Sequence, residues 1–445
     1  MRVSRYFLPT LKEKPAEAQV ISHRYMLRSG MIKQSASGIY TWLPLGLRVL
    51  KNIEAIIRQE HEKAGIVEML MPTIQSADLW RQSGRFDAYG PEMLRFKDRN
   101  QRDMLYGPTN EEMITDVVRG SLRSYKQLPK ILYHMQWKFR DEIRPRFGVM
   151  RGREFLMKDA YSFDISEQTA QNSYKKMMTV YLKTFSRMGL TAVPMRADTG
   201  PIGGKLSHEF LVLAPTGESE VFLDKACINN KISDFNLDYD NQESINKVYD
   251  HYTSHYAVTD EKYNQEDFFA KVDADNRLTG RGIEVGHIFM FGDKYSEPME
   301  ALFTSQEGKN IPLYMGSYGI GVSRLVATLI EASHDDKGII WHKSVAPFHV
   351  GLVNLRQGLE ATDSLCEEIY DKLEKAQITV LYHDTEERAG NKFSDMELIG
   401  LPYRIAIGPK GAERGIVEIK NRADDIVTEL SIDDAVSFLQ KQIFS

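Results

Sequence analysis

Phe139-Arg140-Asp141-Glu142, continued by a basic loop to Arg151 and Phe155, carries charges in an order that fits a bent ATP. An arginine at a strand end can bond the α-phosphate, and a carboxylate such as Glu142 can take the adenine amino group. A second arginine, Arg151, can meet the terminal phosphates, and the Phe155 ring can stack on the purine. Arginine suits this task because its planar fork of donors binds phosphate oxygens bidentately, which the point charge of a lysine does not. The same charges would also suit a surface hairpin laced with salt bridges, and a second element far along the chain decides between the two. Gly316-Ser317-Tyr318-Gly319-Ile320-Gly321-Val322-Ser323-Arg324 follows an apolar run and opens the helical pattern Leu325, Val326, Leu329, Ile330. Gly319 and Gly321 let backbone approach a ligand closely, and Arg324 stands about one helical turn in.

Three common alternatives fail on spacing. A dinucleotide fingerprint starting at Gly319 and Gly321 needs glycine where Arg324 stands. No G-x-x-x-x-G-K-[ST] occurs, and His208-Glu209 lacks the second histidine of a zincin helix.

These groups need a scaffold. Residues 47–64 place Leu50, Ile53, Ile56 and Ile57 at helical spacing, stop at Gly65, and run into a strand-like stretch, 66–71, that ends at Pro72. Beyond Val345 strand and helix patterns alternate: strands at 350–355, 378–382, 404–407 and 415–419, and helices at 364–376, 395–399 and 432–442. That order predicts a small α/β domain with parallel strand pairs. At 445 residues the chain has room for two or three domains with real cores. Its two cysteines, Cys227 and Cys366, give no disulfide framework and point to a reducing compartment. Pro9, Lys12, Glu13 and Lys14 interrupt any apolar signal region, and no apolar run is long enough to cross a bilayer, so a cytoplasmic protein is expected. The net charge of −5 disfavours nucleic-acid binding only as an average. Arg144, Arg146, Arg151 and Arg153 cluster near the candidate site, and Lys410, Arg414, Lys420 and Arg422 near the C-terminus.

Phe139 to Phe155 resembles motif 2 of the class II aminoacyl-tRNA synthetases, Gly316 to Arg324 resembles motif 3, and the helix, strand and Pro72 resemble motif 1. The wording over most of the chain resembles the bacterial-type prolyl family, in a short form. It includes Ser37-Gly38-Ile39-Tyr40-Thr41-Trp42-Leu43-Pro44, Gly107-Pro108-Thr109-Asn110-Glu111-Glu112, Phe147-Gly148-Val149-Met150-Arg151, Gly203-Gly204 with Ser207-His208-Glu209-Phe210, and Glu284-Val285-Gly286-His287-Ile288-Phe289. The resemblance implies an α+β fold: a class II catalytic core, an antiparallel sheet flanked by helices, over residues 1–343, followed by a C-terminal α/β anticodon-binding domain over 344–445. It also implies a homodimer through the motif 1 region, ATP and Mg2+, L-proline and tRNA(Pro). The reaction would be formation of prolyl-adenylate and then transfer to tRNA, with Arg140, Glu142 and Arg324 catalytic and Arg151, Phe155, Gly319 and Gly321 also on ATP.

For the amino acid, a secondary ammonium needs a fixed carboxylate and a neutral acceptor, which Glu111 and Thr109 supply on one short segment. His287 and Phe289 can wall the ring, with Arg140 and Ser317 alongside. Thr109 and Glu111 also suit a helix-capping pair. A zinc-dependent pocket, as in the threonyl branch, lacks its ligands here. Glu209 is the candidate Mg2+ ligand. Arg388 and Lys420 are the candidates for guanine readout in the anticodon, although Thr385 and Ala389 depart from the family's Asp-Asp-Arg and Arg-Pro-Gly pattern. Residues 224–281 are too short for the editing domain of many bacterial relatives, which implies a separate deacylase for alanyl-tRNA. Ser317 and Asn110 stand where relatives often carry cysteine and histidine, which bears on pocket selectivity. A synthetase-like paralogue kept for regulation or binding is the alternative; such proteins usually lose the phosphate arginines, which are all present here.

Overall fold

The computed structural model describes residues 1–16 and 18–444, with the side chain of Pro201 left aside. The chain divides into two compact units, one of residues 37–39 and 54–328, the other of 1–36, 40–53 and 329–445.

The first unit is built on a nine-stranded sheet. Its spatial order is Leu206–Leu213, Ala192–Arg196, Ala257–Thr259, Ser219–Asp224, Arg277–Gly292, Tyr314–Gly321, Glu154–Asp164, Lys130–Phe139 and Val67–Glu68. All pairings are antiparallel except those of Val67–Glu68 with Lys130–Phe139 and of Ala257–Thr259 with Ala192–Arg196. The helix Glu167–Arg187 covers one face and is started by Ser166, whose hydroxyl accepts from the Thr169 amide. Tyr174, Tyr181 and Phe185 are buried on it, the last two against Phe210, and Tyr174 packs beside Tyr318. With that face covered, the central strands lose the alternation of a half-exposed sheet, and Glu154–Asp164 is buried along most of its length.

Two segments differ from expectation. The stretch 66–71 gives only a two-residue strand, because the Ile66 amide is taken by the His61 carbonyl at the helix end and Pro72 has no amide hydrogen. Residues 224–281 place the strand Ala257–Thr259 inside the main sheet, with Val258 opposite Phe222. Asn241 and Asn264 cap the helices Gln242–Thr253 and Gln265–Lys271, which are too short to show a strong period in the sequence.

In the second unit a five-stranded sheet runs Val380–His383, Val350–Asn354, Tyr403–Ile407, Ile416–Asn421 and Val427–Ser431. The first three strands are parallel, as expected, and the last two pairings are antiparallel. Helices Glu360–Lys375 and Ile432–Phe444 bury Cys366, Ile369, Leu373, Ala435 and Leu439 against Val350, Leu352 and Ile405. The edge strand Val427–Ser431 and the short helix Pro409–Arg414 escape the sequence pattern: the first has no buried residue, and the second is a single Pro-initiated turn and a half.

Asp164, fully buried at the end of Glu154–Asp164, accepts from Ser173 Oγ at 2.9 Å, while its other oxygen has no hydrogen-bond partner among the described residues. Burial pushes this carboxyl up to about 7, against the hydrogen bonds of Ser173 and Ser162. From about pH 4 to 7 the folded chain therefore holds a proton that the unfolded chain has lost, and stability falls as pH rises through that window. Asp164→Asn keeps the serine bond without the charge. Its melting temperature is expected to gain on wild type by about 1–2 °C for each kcal/mol relieved between about pH 5 and pH 8. Parallel pH dependences in thermal melts of the two proteins would show that the Asp164 charge costs nothing.

Candidate active site

Alternation along adjacent strands puts the candidate side chains on one face. Phe289 pairs with Ser317 and Ser317 with Tyr161; His287 pairs with Gly319 and Gly319 with Asp159. Residues two apart share a face, so Phe155, Met157 and Asp159, His287 and Phe289, and Ser317, Gly319 and Gly321 all border one cavity of about 400 Å3. Thr109, Glu111, Arg140, Glu142, Arg151 and Arg324 line the same cavity. A Cβ on Gly319 would meet nothing of the protein nearer than 3.9 Å, so the space over this strand is left to a ligand.

Three guanidinium groups are among the cavity's lining, each held by the fold. Arg140 follows the strand Lys130–Phe139, donates from Nε to the Pro108 carbonyl at 3.2 Å, and lies 5.4 Å from the Phe155 ring centre. Arg151 meets Glu142 at 2.9 Å and Glu218 at 3.3 Å. Arg324, near the start of the helix Val322–Ala332, donates from Nε to the Met150 carbonyl at 2.8 Å and from Nη1 to the Glu284 carbonyl at 2.9 Å. The loop between Arg140 and Arg151 turns through Phe147 and Gly148, both at positive φ.

Glu111, on the same lining, is 1% exposed and accepts from Thr109 Oγ1 at 2.7 Å, Ser317 Oγ at 3.1 Å and Arg85 Nη1 at 3.1 Å. The capping alternative is overturned: Asn110 is the residue before the helix Glu111–Val118, its side chain makes no cap bond, and the Thr109 hydroxyl goes to Glu111 instead. His287 and Phe289 stack, with ring centres 3.8 Å apart.

Glu209 is not on the cavity wall but lies behind His287, 3.8 Å from its Nδ1, and forms a group with Glu284 and His287 whose ligand atoms lie within 4.8 Å of one another. Burial, and then the charge of Glu284, raise the Glu209 carboxyl above the usual range. Against the cost of burial, the His287 hydrogen bond and the charges of Arg324 and Arg140 hold Glu284 low. One carboxylate of the pair thus takes the negative charge.

Sequence reading gave no role to Arg85, Glu218 or Glu284, although Glu284 lies in a segment already singled out. Arg85 is buried beside Trp80, Tyr89 and Tyr295 and reaches both Glu111 and Glu112. The basic clusters also look different in three dimensions. Arg146 and Arg151 share Glu218, and Arg153 meets Asp141. Near the C-terminus Arg422 is 5% exposed and locked on Asp335, so it is not part of a surface patch. In the second unit Arg388 is exposed at the start of the helix Ala389–Ile399, and Lys420 is bound to Glu397 and Asp425.

Residues 94–333 match the tRNA synthetase class II core domain (G, H, P, S and T), and residues 349–442 match the anticodon binding domain. The chain is 61% identical over 437 residues to a proline–tRNA ligase of Parvibaculum lavamentivorans, covering 98% of this chain and 99% of that one. It is 59% identical to a proline–tRNA ligase of Maricaulis maris over the full length of both. Its fold matches the crystal structure of prolyl-tRNA synthetase from Cryptosporidium parvum complexed with L-proline and AMP, at TM-score 0.72 and 16% identity over 98% of this chain and 77% of that one. With a core sheet of this topology, a C-terminal anticodon-binding fold and full-length relatives at this identity, the chain belongs to the class II tRNA synthetases, in the family of the proline–tRNA ligases.

Proposed function

We propose that this chain activates L-proline with ATP and transfers the prolyl group to the 3′ end of tRNA(Pro). The observation that carries the reading is a single cavity lined both by three held guanidinium groups and by a buried carboxylate, Glu111. The proline carboxylate attacks the α-phosphorus of ATP, the bond to the β-phosphate oxygen breaks, and pyrophosphate leaves. A terminal ribose hydroxyl of tRNA then attacks the prolyl carbonyl, and AMP leaves. Neither step needs a protein nucleophile, so catalysis is positioning and charge stabilisation.

Arg140 takes the α-phosphate, Arg151 and Arg324 take the outer phosphates, Glu142 takes the adenine amino group, and Phe155 stacks under the ring. Gly319 and Gly321 allow the nucleotide onto the backbone. Glu111 and Thr109 receive the secondary ammonium, and His287, Phe289 and Ser317 wall the pyrrolidine. The retention of all three phosphate arginines in the cavity weighs against a non-catalytic binding paralogue. Glu209 and Glu284 are close enough to share a divalent cation, and Mg2+ with carboxylate and phosphate oxygens suits them; it would neutralise phosphate charge. Arg388 and Lys420 are assigned to the anticodon, Lys420 by exchanging its carboxylate partners for a base edge.

We assign catalysis to residues 1–343 and anticodon binding to 344–445. Residues 224–281 lend a strand to the core sheet, so clearance of alanyl-tRNA is left to a separate deacylase. No helix among the described residues is long and apolar enough to cross a membrane, and we place the protein in the cytoplasm.

A homodimer through the motif 1 region is supported by the sheet's edge at Val67–Glu68, where Val67 is 57% and Leu70 is 76% exposed. Leu70→Glu is expected to give particles of about half the wild-type mass in sedimentation velocity, since a carboxylate cannot be buried unpaired in an apolar contact. A wild-type protein that sediments as a monomer would remove this assignment.

Exchange of pyrophosphate into ATP, compared for proline, alanine, cysteine and threonine, tests the activity. Strong exchange with proline is expected. A folded protein that exchanges with none of the four is instead a binding paralogue.

A further inference from the structure

Beneath the Thr109–Glu111 segment lies a buried polar network that the mechanism does not use. Lys138 is fully buried, and its ammonium has four polar neighbours: Asn110 Oδ1, Gln136 Oε1 at 3.2 Å, Asp159 Oδ2 at 3.1 Å and His134 Nε2 at 3.1 Å. An ammonium has three hydrogens, and the three oxygens can accept them all. Asp159 Oδ2 also accepts from Tyr161 Oη at 2.7 Å, and His134 Nε2 lies 2.9 Å from Asp159 Oδ1, while His134 Nδ1 accepts from the Met71 amide. Tyr161 Oη in turn accepts the Asn110 amide at 3.1 Å. Asn110 is thus gripped by its backbone and by its side chain, is fully buried, and does not border the cavity. Its neighbours on either side, Thr109 and Glu111, do.

We propose that Lys138 is a positioning residue for amino-acid recognition: by holding Asn110 from below, it fixes where Thr109 and Glu111 present their oxygens to the substrate ammonium. This rests on the reading that proline binds at Glu111. Asn110 then influences the pocket through its anchorage and not by touching the amino acid. An ammonium with an acceptor for each of its hydrogens suits that task, since a buried ammonium short of one acceptor would pull the segment out of place. Arg151 and Arg324 hang on Glu142, Glu218, Met150 and Glu284, outside this network, so the two substrates should be affected unequally.

The test is steady-state pyrophosphate exchange by full-length wild type, Lys138→Met, Asn110→Leu and the double variant, varying proline and ATP separately. Each single variant is expected to raise KM for proline about 10- to 100-fold, the range for losing a hydrogen bond to a charged group. KM for ATP should stay within about twofold, and the double variant should be little worse than the worse single one, because both remove the same bond. Asn110→Leu keeps the charge pair of Lys138 with Asp159, so it decides the question even where Lys138→Met fails to fold. A folded Asn110→Leu with wild-type KM for proline, or with both KM values raised alike, overturns the proposal while leaving the activity in place. A wild type with no proline-dependent exchange overturns the activity, and this inference with it.

Discussion

Arg140→Ala is expected to lower proline-dependent pyrophosphate exchange by about 10²- to 10³-fold, the usual loss when one preorganised donor is taken from a developing oxyanion. The size follows from how Arg140 is held. Its amide donates to the Arg153 carbonyl at 2.9 Å and its Nε to the Pro108 carbonyl at 3.2 Å, and the guanidinium lies beside Phe155, so it pays no reorganisation when charge builds on the α-phosphate. These partners are a carbonyl and a ring face, and their loss should leave the fold intact. The decrease should therefore fall mainly on kcat, with a smaller change in KM for ATP. Arg140→Lys should recover little, because an ammonium lacks the planar pair of donors. Exchange within about tenfold of wild type in Arg140→Ala would remove Arg140 from the centre of the reaction.

The remaining cations are arranged differently, and the difference suits their tasks. Arg151 rests on Glu142 and Glu218 and is partly exposed, whereas Arg324 is fixed by two backbone carbonyls. On the proposed reading a nucleotide with several negative charges would displace the Glu218 contact at small cost, since a half-exposed ion pair contributes little. Arg324 needs no such exchange. The loop that carries Arg151 can thus close over ATP while the helix that carries Arg324 stays still.

Much of this was legible in the sequence because phosphate chemistry demands particular residue types at fixed places in a strand, a loop and a helix. Arg140, Arg151, Phe155, Gly319, Gly321 and Arg324 were readable for that reason, and the structure gathers them in the lining of one cavity. Arg85 and Lys138 were not, because a buried cation in a network has no local signature: its partners come from segments about 25 residues away, and only folding brings them within reach. Lys420 and Arg422 show the opposite failure. In sequence they read as a basic patch, yet Asp335, Glu397 and Asp425 neutralise them from elsewhere in the chain. The edge strand Val427–Ser431 and the strand Ala257–Thr259 were missed because sheet membership depends on neighbours and hardly on composition over so few residues.

Glu111→Gln is expected to raise KM for proline by about 10²- to 10³-fold, within the cost of removing one partner of a buried, hydrogen-bonded charge pair. Arg85 offers a competing role for Glu111, as its structural counter-ion, and the local charge balance separates the two. Arg85 faces two buried carboxylates, Glu111 and Glu112, so its own charge does not neutralise the pair. Burial, opposed by Arg85 and reinforced by Glu111, raises the Glu112 carboxyl above its ordinary range, the mark of two acids sharing one cation. A substrate ammonium would supply the missing positive charge on the cavity side, where Thr109 and Ser317 already fix the Glu111 oxygens. In Glu111→Gln the shape survives, Arg85 keeps Glu112, and the ammonium loses its partner. KM for proline should therefore rise steeply while KM for ATP and the melting temperature change little. If the variant instead melts markedly earlier and binds proline as wild type does, Glu111 serves Arg85, and the ammonium must be received elsewhere in the cavity.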